Sequence, residues 1–86
     1  MPAPVPTPDL NELRGFCMAA DLGSLGRAAL RLHVSQPSLS KRLASLEAKV
    51  GVRLLERSPR GVVLTPAGRR LYGQARALLE EADEVA

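Results

Sequence analysis

The 86-residue chain has one cysteine, one histidine, no tryptophan, and Phe16 and Tyr72 as its aromatic residues. A lone Cys17 closes no internal disulfide. One cysteine with one histidine does not supply the four ligands of a structural metal site. With two aromatics there is no platform on which a series of bases could stack. His33 and scattered carboxylates give no acid, base and nucleophile set, so an enzyme is not expected and no cofactor is implied. There is no apolar run long enough to span a membrane and no signal-peptide pattern, so the expectation is a soluble, cytoplasmic chain without a membrane partner.

What is present is a segregation of charge. The whole chain carries a net +3, yet the segment from Ser24 to Val62 holds Arg27, Arg31, Lys41, Arg42, Lys49, Arg53, Arg57 and Arg60 against Glu47 and Glu56, a net +6. Both flanks are slightly acidic. Concentrating cations on one segment points to a polyanionic partner.

That segment also has a helical pattern. Ser24 is positioned to cap a helix with apolar positions Leu25, Ala28, Ala29 and Leu32, and Ser35 to cap a second with Leu39, Leu43, Leu46 and Val50. Pro37 falls in the first turn of the second helix, where a missing N–H costs nothing. Gly51 is placed to end that helix. Its opposite side carries Ser38, Lys41, Arg42, Ser45 and Lys49, and its first turn presents Ser35 and Gln36, short donors and acceptors suited to base edges. Two helices joined by a short corner, the second polar and basic at its start, suit insertion into a DNA groove.

Around this pair, residues 1–7 form a proline-rich leader read as extended or disordered. Thr7 or Asp9 starts a first helix, with Glu12 in capping-box register to Asp9 and a buried stripe of Leu10, Leu13, Phe16, Cys17 and Ala20. A buried, inert thiol is expected at Cys17. After Gly51 two short apolar runs, 54–57 and 61–64, flank Ser58-Pro59-Arg60-Gly61, a turn cluster, and predict a two-stranded hairpin. Thr65-Pro66 then opens a helix running to the end of the chain. Leu71, Ala75, Leu78, Ala82 and Val85 recur at spacings of four and three, the narrow seam of a paired helix. A domain this small buries only about 60–65% of its unfolded surface, so a second subunit on that seam is expected.

The run Gly23-Ser24-Leu25, Arg27-Ala28-Ala29, Leu32-His33-Val34-Ser35-Gln36-Pro37-Ser38-Leu39-Ser40, Leu46-Glu47, Gly51-Val52, Leu54-Leu55-Glu56-Arg57 and Leu64-Thr65-Pro66-Ala67-Gly68 resembles the DNA-binding domain of LysR-type transcriptional regulators. The resemblance covers residues 8–86. It departs from the family pattern at Leu25, Gly26 and Leu55, where Phe, Thr or Ser, and Phe are usual. It implies a mainly α fold with a small β-hairpin: a winged helix-turn-helix over 8–65, followed by a long linker helix over 66–86 that dimerises. Full-length relatives carry a larger effector-binding domain after this helix, so sensing of a small-molecule inducer is expected to lie outside these 86 residues.

By the same resemblance, helix 35–50 enters the major groove and wing 54–64 lies at the minor groove. Gln36, Pro37, Ser38 and Lys41 are the expected base-side contacts, joined by Ser35 and Ser40. Arg42 is expected on phosphate, Arg27, Arg31 and Arg53 are candidate phosphate clamps, and Arg60 at the wing tip is expected in the minor groove. Arg57 is expected to brace the hairpin, and Glu47 to pair with a nearby arginine. His33 is expected to cap the carbonyls before it. The partner implied is double-stranded DNA bearing an interrupted, AT-rich palindrome, bound by a homodimer or, at full length, a tetramer, in the bacterial cytoplasm at the nucleoid. Two alternatives are a winged helix that binds proteins and the DNA-binding domain of a molybdate-type regulator. A protein-binding surface would call for exposed apolar anchors, where this helix offers serine and lysine.

Overall fold

The computed structural model describes residues 7–85, with side chains through Asp83. The elements are α1 (Leu10–Leu22), α2 (Leu25–Leu32), α3 (Gln36–Val50), β1 (Leu55–Ser58), β2 (Gly61–Leu64) and α4 (Pro66–Val85). The strands pair antiparallel with Leu55 opposite Leu64 and Ser58 opposite Gly61. The fold is therefore a winged helix-turn-helix with a long final helix. The leader expected at residues 1–7 lies outside the described residues except for Thr7.

Each helix starts where a side chain accepts an otherwise orphaned N–H. Asp9 caps α1 in a full capping box with Glu12, Ser24 accepts from Arg27 N–H, and Ser35 accepts from Ser38 N–H. Thr65 Oγ1 accepts from Gly68 N–H at 2.9 Å and donates to the Arg53 carbonyl at 2.7 Å, tying the start of α4 to the segment that leads into β1. The corner between α2 and α3 closes on His33, in the left-handed region at φ 59°. Its backbone N–H reaches Leu30 O, and Val34 N–H reaches Ala29 O. The capping at this corner is thus the work of the backbone.

The core gathers Leu13, Phe16, Cys17 and Ala19 of α1, Leu25, Ala28 and Ala29 of α2, Leu39, Leu43 and Leu46 of α3, Leu54, Leu55 and Val62 of the wing, and Ala75 and Leu79 of α4. Three sequence expectations need correcting. Leu10 and Val50, assigned to buried stripes, are 44% and 39% exposed. In α1 the fully buried small residue is Ala19, while Ala20 is half-buried. Ala75, assigned to the seam with a second subunit, is 0% exposed inside this chain's own core and has no surface left to give a partner. Leu71 packs against the same core, Leu78 is 50% exposed, Ala82 is half-buried, and the side chain of Val85 lies outside those described.

Two glycines allow the wing to sit close. Gly61 has φ +125°, and a Cβ there would lie 2.2 Å from the Gly23 carbonyl oxygen, which accepts the Val62 N–H at 3.1 Å. A Cβ at Gly68 would lie 2.1 Å from the Leu54 carbonyl oxygen, so only glycine lets α4 pass the strand at this distance. The wing is thereby held to the α1–α2 corner at one end and to α4 at the other.

Candidate nucleic-acid interface

α3 has two polar ends with different surroundings. At its start Ser35, Gln36, Pro37, Ser38 and Lys41 are exposed. Their bonds are local: Ser35 Oγ accepts from Ser38 N–H at 3.1 Å and donates to Ser38 Oγ at 2.9 Å. The side chains of Gln36 and Lys41 make no hydrogen bond or ion pair among the described residues. Ser24, Gly26 and Arg27 of α2 line one open hollow with Ser35 and Gln36 of α3, so the starts of the two helices present a common surface. The Arg57 guanidinium of β1 donates to Ser40 Oγ at 3.4 Å, bringing the wing beside that surface.

At the far end of α3 Ser45 and Lys49 turn toward α1. Glu12 of α1 is 4% exposed and joins that helix to α3. Ser45 Oγ donates to its Oε2 at 2.6 Å, Lys49 Nζ approaches its Oε1 at 2.9 Å, and Asp9 N–H donates to the same Oε1 at 2.9 Å. Burial alone would push the Glu12 carboxyl up, but the hydrogen bonds from Ser45 and Asp9 and the charge of Lys49 outweigh it and hold the group below the ordinary carboxylate value. Ser45 and Lys49, placed by the sequence on the groove-facing side, are therefore structural. The capping-box pattern marked Glu12 as a cap, but no local signal announced its pairing with residues more than thirty positions away.

Other residues assigned roles from the sequence have these surroundings. Glu47 pairs with no arginine; its Oε2 accepts the Leu54 and Leu55 N–H groups at 2.7 and 3.3 Å and so anchors the start of the wing to α3. Arg57 reaches α3 through Ser40 and braces the wing against the helix. Arg42 is half-buried and donates to the Asn11 carbonyl at 3.4 Å, with its stem over Gly15 of α1.

Arg27, Arg31, Arg53 and Arg60 remain exposed without an ion-pair or hydrogen-bond partner for their side chains among the described residues. Arg60 lies in the turn between the strands, where Ser58 Oγ accepts its backbone N–H at 3.2 Å. Two further cations pair away from this surface: Arg14 with Asp83 at 3.2 Å and Arg76 with Asp21 at 3.7 Å join α1 to α4. Tyr72 donates to Asp21 on the same seam, and this hydrogen bond is the main reason its hydroxyl titrates above its ordinary value. Beside them burial pushes the Cys17 thiol up to about 11, which keeps it protonated and unreactive. Among the described residues no cluster of side chains could hold a metal ion, and no helix is long and apolar enough to cross a membrane.

Residues 10–69 match the profile of bacterial regulatory helix-turn-helix proteins of the lysR family. The chain belongs to the LysR family. This LysR domain is 49% identical over 72 residues to the HTH-type transcriptional regulator TfdS of Cupriavidus pinatubonensis, an alignment covering 84% of the chain and 24% of that protein. It is similar to the oxidized form of Corynebacterium glutamicum OxyR, with TM-score 0.90 and 44% identity over 93% of the chain and 26% of OxyR. It is also similar to the CbnR DNA-binding domain solved in a complex with DNA, with TM-score 0.84 and 44% identity over 90% of this chain and 88% of that one. The LysR domain thus spans about a quarter of the length of TfdS. It is a DNA-binding domain of the kind found in transcriptional regulators, and its relatives are regulators with no enzymatic role.

Proposed function

We propose that the chain binds double-stranded DNA in a sequence-specific manner as part of a bacterial transcriptional regulator, in the cytoplasm, with the start of α3 in the major groove. The observation that carries this reading is the exposed start of α3, where Gln36 and Lys41 stand unpaired among the described residues beside Ser35, Pro37 and Ser38, while Ser45 and Lys49 at its other end are tied to Glu12 of α1. Gln36 can bond bidentately to adenine, and Pro37 offers apolar contact to a thymine methyl. Arg27, Arg31 and Arg53 neutralise phosphates, and Arg60 enters the adjacent minor groove from the wing tip. Arg42, Ser35 and Ser40 hold α3 in position, and Arg42 keeps a secondary phosphate contact.

A homodimer forms through the outer part of α4, with Leu78, Ala82 and Val85 as the seam and Ala75 replaced by the core. Two-fold symmetry then calls for half-sites an integral number of helical turns apart. The occurrence of the related CbnR domain in a DNA complex supports the reading. Selecting bound sequences from a random duplex pool tests it: a two-fold motif is expected, and an unenriched pool would sink it. If each subunit neutralises about four phosphates, log affinity against log salt falls with a slope of about −7.

A further inference from the structure

Gly26 is the second residue of α2 and lies directly under the side chain of Gln36. A Cβ placed on Gly26 would stand 3.4 Å from Gln36 Oε1 and 4.0 Å from Ser24 Oγ, at the close end of ordinary van der Waals contact. The Gln36 carboxamide makes no hydrogen bond within the described residues, and its Oε1 lies over the first turn of α2. A methyl group fits that seat. A hydroxyl or a branched side chain extends one atom further toward the carboxamide, and β-branching leaves few χ1 alternatives in a helix.

We propose that Gly26 is a specificity-determining position, where the absence of any side-chain atom beyond Cβ leaves room for the Gln36 carboxamide and thereby selects the base edge that Gln36 meets. The inference rests on the reading of Gln36 as a base contact. A glycine inside the first turn of a helix is otherwise unfavourable, and neither the backbone angles nor a close backbone neighbour demands one at this position, in contrast to Gly61 and Gly68.

The test compares the wild-type chain with Gly26→Ala, Gly26→Ser, Gly26→Thr, Gln36→Ala and the double variant Gly26→Thr/Gln36→Ala. Each is titrated with duplexes carrying each of the four base pairs at the position where Gln36→Ala loses discrimination, and folding is checked by the thermal midpoint. Gly26→Ala should keep the wild-type ranking. Gly26→Thr or Gly26→Ser should alter relative affinities at that one position by about 5-fold or more, the lower end of what one base contact discriminates. The double variant should match Gln36→Ala. Retention of the wild-type ranking by both Gly26→Ser and Gly26→Thr, with Gln36→Ala still losing discrimination, would overturn this inference alone. A change that persists without Gln36 would overturn it too. Should Gln36→Ala leave every preference intact, the base-contact reading itself falls and takes the inference with it.

Discussion

In its first two turns α3 holds Gln36, Ser38 and Lys41 out to solvent; in its last two it holds Ser45 and Lys49 against the buried Glu12 of α1. Both ends contain serine and lysine at helical spacing. The difference is made by what stands across from them: α1 faces the end of α3, and none of the described residues covers its start. A serine or lysine on a helix therefore acquires its role from the neighbouring element, and charge alone does not separate a DNA contact from a structural tie.

Breaking the buried end should give the largest effect. Glu12→Ala removes half of a capping box and strands Lys49 and Ser45, with an expected loss of about 2–4 kcal/mol in a denaturant titration. An unchanged midpoint would mean that the network contributes nothing. The two lysines should then separate cleanly. Lys41→Ala should leave the midpoint within about 0.5 kcal/mol, as for a surface change, and reduce discrimination between a selected and a scrambled duplex, as loss of a base-side contact does. Lys49→Ala should do the reverse, lowering stability by about 1–3 kcal/mol for a buried carboxylate that loses one of its three donors and leaving the discrimination intact.

Acid sharpens the same contrast with a smaller effect. Glu12 titrates below its ordinary value of 4.5 in the folded chain, so its stabilisation is complete above the unfolded pKa. It is lost as pH falls through the lower folded pKa. The stability difference between wild type and Glu12→Gln should accordingly be constant near neutral pH and shrink below about pH 4.5. A difference that grows on acidification would contradict the direction of the shift.

The caps were legible because their chemistry is local: Asp9, Ser24, Ser35 and Thr65 each precede a helix within three residues of the N–H they accept. The wing was legible from Ser58-Pro59-Arg60-Gly61, and its strand pairing follows from a turn of that length. Tertiary choices were not. Ala75 and Leu78 belong to one regular apolar spacing, yet Ala75 faces α1 and is fully buried while Leu78 stays half exposed. Which face of α4 the core covers, that of Ala75 and Leu79, decides between them. Glu47 is a similar case, since a carboxylate beside several arginines reads as an ion pair until the strand N–H groups that claim it are placed. The exposed start of α3 was readable because its residues depend on no distant partner.

The most direct measurement is the ratio of affinities for a selected duplex and a scrambled one, at one fixed salt concentration, for the wild type, Gln36→Ala and Lys49→Ala. The groove reading predicts that Gln36→Ala lowers this ratio by the equivalent of about 1–3 kcal/mol, while folded Lys49→Ala keeps it. Equal ratios for the wild type and Gln36→Ala, or a loss confined to Lys49→Ala, would contradict it.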